Sequence, residues 1–312
     1  MVIETRSDAK GSLPVLSAFL LGLLVSLILA GLVVLGLLSL PLPEGAGNRV
    51  AERLAAGGWV GALGLGALFA VGFVTASIRI NVDRFFLVIL LVFLVGLPFD
   101  RAILINLLVV LAAAGILFFR QSQGLRKLPR QYLLPIVVSS AVGGVAGRCL
   151  GLALPQSLLL LLFGVYAVGV GLRLVLVKVD PRAAAVSPPT RLVPLFLSFG
   201  LIAGLLSAGG KPFKVPILNR WFGFPPPMAY VLSTVGVACA ITAALAAQLI
   251  LAPGTITGEI AAWALFFILS ITAISLVVER FWSQMLQKYV SWAIAPILVA
   301  IGVRFLLVAI GG

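Results

Sequence analysis

The sequence has no histidine, only two cysteines and few charged residues. Charged side chains make up 10% of its 312 residues, whereas hydrophobic side chains make up 62%. A soluble domain of this composition would lack the polar side chains needed to cover a surface that faces water. Without histidine we expect no His-ligated metal site and no histidine acid–base catalysis, and Cys149 and Cys239 both lie in apolar segments, which disfavours a disulfide. We therefore predict an all-α polytopic membrane protein without a metal or a cofactor.

The charge of the chain is strongly positive, with 22 Lys and Arg against 9 Asp and Glu. In a soluble protein this would suggest nucleic acid as a partner. Here most basic residues lie in short loops, so they indicate topology and contact with anionic lipids. The basic loops at 120–130, 178–191 and 279–290 predict the cytoplasmic side, whereas the connectors at 155 and 252–258 carry no Lys or Arg. We predict a multi-pass plasma-membrane protein with a cytoplasmic N-terminus, an outside C-terminus and no nucleic-acid partner.

One apolar segment is interrupted by a polar break. Residues 200–234 read GLIAGLLSAGGKPFKVPILNRWFGFPPPMAYVLST, so an apolar helix is followed by Ser-Ala-Gly-Gly, two lysines and a Pro-rich turn. Unpaired backbone and ammonium groups at membrane depth are costly unless they face protein, water or a ligand. A helix that opens at Pro212 directs its free N–H groups to the same place, which suits an anion. This stretch is our candidate for a binding site.

The two halves of the chain share this pattern. The turn Gly96-Leu-Pro98 aligns with Gly223-Phe-Pro225, Ala102 with Ala229, and Asn106 with Ser233. Each half contains an odd number of apolar segments after the first span, so the second half must enter the membrane from the opposite side. Inverted repeats with broken helices or re-entrant hairpins are typical of secondary transporters, which bind substrate at the repeat interface.

The predicted organisation has four parts. They are a tail, first span and loop at 1–56, a first repeat at 57–177, a linker at 178–191 and an inverted second repeat at 192–312.

The same stretch resembles the repeated signature of the TauE/SafE sulfite-exporter family. In that signature a Gly-rich break leads to Val-Pro, a Gly-[Leu/Phe]-Pro-Pro turn, an alanine and a small hydroxyl residue. The matching residues are Val215-Pro216, Gly223-Phe-Pro-Pro, Ala229 and Ser233, and more loosely Gly72, Gly96-Leu-Pro98, Ala102 and Asn106. The resemblance covers about residues 57–310 and implies a transporter that exports sulfite, an organosulfonate or another small anion. The chain departs from the signature at the breaks, where residues 79–84 replace the glycine run and Lys211 interrupts it in the second half.

We expect the substrate to bind where the two breaks meet. The residues predicted to bind it lie at or near a break: Arg79, Asn81, Arg84, Asn106, Ser207, Gly209, Gly210, Lys211, Lys214, Ser233 and Thr234. The lysines either bind the anion or extend from short helix ends to the membrane interface. The neutral polar side chains either bind substrate or only connect helices.

Two further charged residues have alternative roles. Asp83 lies between Arg79 and Arg84, and is either their ion-pair partner or a site that couples protons to transport. Arg148 lies among Gly143, Gly147 and Gly151, whose spacing predicts a helix-packing stripe. This arginine either lines the anion pathway or faces lipid headgroups.

These features predict a secondary transporter that works by alternating access. The alternative is an anion channel on the same scaffold, because rings of Lys and Arg also select anions in pores. An enzyme that acts on a lipid headgroup would need a nucleophile–base pair, and we identify none, so we predict no enzymatic activity. The predicted partners are a small anion, the lipid bilayer and, if Asp83 couples transport, the proton. The oligomeric state is not predicted.

Overall fold

The computed structural model describes residues 86–92, 97–120, 130–176, 188–281 and 284–311, and these residues form helices and no strands. In chain order the helices are α1 (Phe86–Leu90), α2 (Phe99–Arg120), α3 (Arg130–Ala153), α4 (Gln156–Leu176), α5 (Leu192–Leu206), α6 (Lys211–Arg220), α7 (Pro226–Leu251), α8 (Gly258–Phe281) and α9 (Gln284–Gly311), with a short 3₁₀ turn, Pro189–Arg191, before α5. Five of these helical segments are long and apolar enough to cross a membrane. The protein is therefore a helical multi-pass membrane protein, as its composition predicts. The predicted first span lies outside the described residues.

A glycine stripe on α3 brings this helix into direct backbone contact with α5. A methyl group on Gly143 would lie 2.3 Å from the carbonyl oxygen of Leu197, and one on Gly147 would lie 2.1 Å from that of Leu201. No side chain fits in these spaces, so the predicted packing role of the stripe is confirmed. Because the contacts advance in the same order along both helices, α3 and α5 run parallel.

The chain then forms a hairpin whose turn is the polar break. α3 also runs parallel to α7, since Gly144 contacts Ala240 and, further along, Arg148 bonds to Gln248. α5 and α7 thus begin on the same side of the bundle, and α6 returns the chain to that side. With 10 residues, α6 is only about 15 Å long, half the hydrocarbon thickness. The break at 207–210 is buried and lies inside the bundle.

The two Gly-[Leu/Phe]-Pro turns have the same backbone hydrogen bonds. Leu97 and Phe224 each donate to the leucine six residues earlier, at 3.1 and 3.0 Å. Ala102 and Ala229 each donate to the proline four residues earlier, at 3.0 and 2.9 Å, and both alanines are fully buried. The helices that follow these turns are α2 and α7. They run in opposite directions, because the start of α2 and the end of α7 line one cavity.

The last helices of the two halves, α4 and α9, contact each other reciprocally. A methyl group on Gly164 would lie 2.8 Å from the carbonyl oxygen of Gly302, and one on Gly302 would lie 2.8 Å from that of Gly164. Elsewhere, α3 of the first half packs on α7 of the second, and α8 of the second half packs on α2 of the first. Such exchanged contacts are what a two-fold relation between two similar units produces.

The packing of α3 generates a stability prediction. We expect Gly147→Ala to destabilise the protein by about 1–3 kcal/mol, because the added methyl group overlaps the backbone of α5. Gly115→Ala is the matched control, since nothing lies within 4 Å of its added methyl group. The readout is the fraction of purified protein that stays monodisperse after heating. Equal heat resistance in both variants would show that α3 and α5 are not in backbone contact.

Candidate functional site

Left-handed backbone conformations shape the break. Ser207 ends α5 with φ 55° and ψ 25°, and Gly210 precedes α6 with φ 72°. A methyl group on Gly210 would lie 2.3 Å from a carbon of the Phe199 ring, so this position requires glycine in both backbone and space. Serine rarely adopts such a conformation, which costs of order 1–3 kcal/mol. The surrounding structure must therefore hold Ser207 in place.

Asn106 of α2 supplies that support. Its Nδ2 donates to the carbonyl oxygen and to Oγ of Ser207, both at 3.0 Å, and both residues are fully buried. Asn106 Oδ1 has no hydrogen-bond partner among the described residues. Buried polar atoms are nearly always paired, so this acceptor is free for a water molecule or for a hydroxyl group of a ligand. The structure thus brings the predicted residues Asn106 and Ser207 together.

Lys214 is the most deeply buried cation of the described residues, with 1% of its surface exposed. Its Nζ lies 5.5 Å from the ring centroid of Phe196 and 5.7 Å from that of Phe199, within the range of cation–π contacts. Lys211 is only partly buried, and its Nζ lies 4.9 Å from the ring centroid of Tyr230. Of the two predicted lysines, Lys214 therefore carries the charge into the interior of the bundle.

Two buried hydroxyl groups, those of Ser140 and Ser233, lie on the helices that surround Phe196. A methyl group on Gly236 would lie 2.5 Å from the Phe196 ring and 3.0 Å from Ser140 Oγ, so these three residues meet where α3, α5 and α7 join. Ser233 lies one turn before Gly236 on the same side of α7. Within the described part of the chain, neither Ser140 Oγ nor Ser233 Oγ has a hydrogen-bond partner. A hydroxyl group can donate to an oxyanion.

The other predicted site residues fall into four groups. Gly209 is buried in the break itself. Thr234 is buried, but its Oγ1 donates to the carbonyl oxygen of Tyr230 at 2.9 Å, so its proton is already used inside α7. Arg148 lines a separate cavity at one end of the bundle. The predicted residues of the first break lie outside the described ranges: Arg79, Asn81, Asp83 and Arg84.

Comparison with known protein families shows which family this chain belongs to. Residues 84–305 match the family model of the sulfite exporter TauE/SafE, which spans the hairpin, its break and both turns. The chain belongs to this family. TauE/SafE proteins are membrane transporters, which agrees with the transporter class predicted from the sequence. Neither a curated protein nor a solved structure matches the chain.

Sequence reasoning missed several residues of this TauE/SafE site. Phe196 and Phe199 were not predicted because aromatic residues in an apolar helix look the same whether they face lipid or a buried ammonium group. Their three-residue spacing, about two and three turns before the break, is the signal that places them on one face of α5. Ser140 could have been noticed as part of the Ser139-Ser140 pair in the apolar run of α3.

Proposed function

We propose that this TauE/SafE protein is a secondary transporter that exports a small sulfur-containing anion, sulfite or an organosulfonate. The observation that carries the proposal is the Lys214 ammonium group, buried beside a helix break in a membrane transporter. A buried ammonium group attracts a small oxyanion more strongly than an ammonium group in water does, because the surrounding medium is less polar. Ser140 and Ser233 can hydrogen-bond to the oxygen atoms of such an anion.

The site binds its anion at the break because three kinds of groups converge there. Lys214 supplies the charge, the nearby serines supply neutral donors, and α6 begins at the break, so its helix dipole is positive at that end. In a site without bulk water these groups replace the hydration of the anion. Lys211 contributes longer-range attraction from its partly buried position.

We further propose that the chain consists of two inverted repeats. The equal hydrogen bonds of the two turns, the opposite directions of α2 and α7, and the reciprocal contact of Gly164 and Gly302 support this. We infer that α3 moves together with α5 and α7, because α3 of the first repeat packs directly on both of these helices of the second. This unit would then combine helices from both repeats.

The binding role of Lys214 is tested by transport. We expect Lys214→Gln to lower the flux of radiolabelled sulfite into proteoliposomes at least about tenfold, because a neutral amide cannot balance the anion in a buried site. Arg220→Gln is the control, since it removes one charge from the exposed end of α6. Saturation and slow turnover distinguish a carrier from a channel. Unchanged flux in Lys214→Gln with normal flux in Arg220→Gln would remove the assignment.

The proposed orientation places the loop 121–129 in the cytoplasm and Thr255 outside. In the structure, α2 ends and α3 begins at the end of the bundle opposite Thr255. The basic residues around this loop favour the cytoplasm. We therefore expect Gly124→Cys to react with an impermeant maleimide only from the inside, and Thr255→Cys only from the outside, in a chain with Cys149 and Cys239 replaced. Labelling of both positions from one side contradicts the orientation.

We also propose that Asp83 couples protons to the transport of the anion. An arriving anion competes with Asp83 for the neighbouring arginines, which favours protonation of the carboxylate and links the two ions. Asp83→Asn should then keep exchange of substrate across the membrane but lose the response to an imposed pH gradient. If Asp83→Asn transport follows the gradient as the unmodified protein does, Asp83 is only an ion-pair partner.

A further inference from the structure

A polar cavity of about 580 Å³ lies at the end of the bundle where α2 and α8 begin and α7 ends. Its polar lining includes Asp100, Arg101, Arg148, Gln248, Thr255 and Thr257. Cavities of roughly 300–1,000 Å³ commonly hold small ligands. Neither Asn106 nor Lys214 is among the described residues that line it. The cavity is therefore distinct from the site at the break.

Arg148 is the buried cation of this cavity, with 4% of its surface exposed. Its Nε donates to Oε1 of Gln248, whose Nε2 donates to Thr255 Oγ1 at 2.8 Å. Thr255 Oγ1 in turn donates to the carbonyl oxygen of Ala252 at 2.8 Å. This chain of hydrogen bonds uses both ends of the Gln248 amide and, among the residues that the structure describes, holds the guanidinium group through Nε alone.

The charge of Arg148 is not neutralised by a direct ion pair in the described part of the protein. Gln248 is neutral, and Asp100 is close enough to interact electrostatically with Arg148 but forms no ion pair with it. Arg101, the other lining cation, pairs with Glu259 at 3.8 Å. No hydrogen bond joins the Nη groups of Arg148 to the described residues. These groups form the planar fork that binds an oxyanion through two parallel hydrogen bonds.

The helix dipoles around the cavity do not determine the sign of the electrostatic potential inside it. α2, α4 and α8 begin there, whereas α3 and α7 end there, so their dipoles largely offset each other. The side chains decide instead. Arg101 is half exposed and paired, Asp100 is exposed to water, and Arg148 is buried with a neutral partner. The unbalanced charge in the interior is therefore positive.

We propose that this cavity is a second anion-binding site, in which Arg148 binds a small oxyanion such as a sulfonate. The backbone nitrogen of Arg148 would lie 2.9 Å from a methyl group on Gly204, one turn before the break. The second site thus adjoins the central one on the Thr255 side of the bundle. Its place on the transport pathway rests on the proposed function, whereas binding of the anion by Arg148 does not.

The test measures protection of a cysteine inside the cavity. Gln156, an exposed lining residue at the start of α4, is replaced by cysteine in the full chain carrying Cys149→Ser and Cys239→Ala. The purified protein in detergent is treated with N-ethylmaleimide at increasing concentrations of methanesulfonate, with gluconate as the larger matched anion. We expect methanesulfonate, but not gluconate, to slow the modification.

Four variants then test whether Arg148 is the residue that binds the protecting anion. Arg148→Gln should raise the half-protecting concentration at least about tenfold, because it removes the charge and the planar fork. Gln248→Glu should do the same while keeping the arginine, because its carboxylate pairs with Arg148 and competes with the anion. Lys214→Gln and Arg220→Gln should change it little, since neither residue lines the cavity.

The outcomes separate this inference from the proposed function. Unchanged protection in both Arg148→Gln and Gln248→Glu overturns it, as does absence of protection in the parent, or loss of protection in Lys214→Gln. If Arg148→Gln does not elute as a monodisperse protein, the result for Gln248→Glu alone decides whether Arg148 binds the anion. Arg148-dependent protection in a protein that shows no sulfite flux would support the second site and reject the proposed transport.

Discussion

Direct backbone contact between α3 and α5 is the constraint on which the rest of the structure depends. Because Gly143 and Gly147 have no side chain, the two backbones touch and the position of α5 along α3 is fixed. The C-terminal end of α5 therefore lies beside Gly151. The break follows immediately, and Arg148 lies on the same stretch of α3. In a membrane, where apolar association gives no net gain, such close packing is what holds helices together. The same glycines thereby place the central site next to the polar cavity.

The hairpin explains how a lysine becomes buried at membrane depth. Since α6 turns back along α5, Lys214 faces two aromatic rings of the helix that precedes the break, Phe196 and Phe199. Cation–π contacts of a desolvated ammonium group contribute about 2 kcal/mol or more each, whereas burying the charge costs on the order of several kcal/mol. The rings therefore help to hold Lys214 in its position beside the break. The strained Ser207 and its bonds from Asn106 keep the hairpin closed around this arrangement.

Much of this could be predicted from the sequence because it is encoded locally. The break at 207–210, the helix that opens with Pro212, and the glycine stripe all follow from residue types at fixed spacing. The relative importance of Lys211 and Lys214 could not be predicted, because it depends on the direction in which α6 returns. The bond from Arg148 to Gln248 joins residues 100 positions apart, and neither residue reveals its partner in the sequence. The sequence therefore predicts features that depend on neighbouring residues, but it does not predict which side chains of different helices, such as Arg148 and Gln248, form hydrogen bonds with each other.

The same contacts set limits on any movement of the protein. Separating α3 from α5 or α7 would open glycine contacts between backbones and, at Arg148, leave a buried guanidinium without its amide partner. α2 contacts its neighbours mainly through a buried apolar face, and its polar contacts among the described residues are few. The ion pair from Arg101 to Glu259 is half exposed, so it contributes only about 0–1 kcal/mol, and the bonds from Asn106 end on a residue that is already strained. α2 is therefore joined to the rest of the bundle chiefly by its buried apolar face, and its hydrogen bonds to Ser207 connect that face directly to the break.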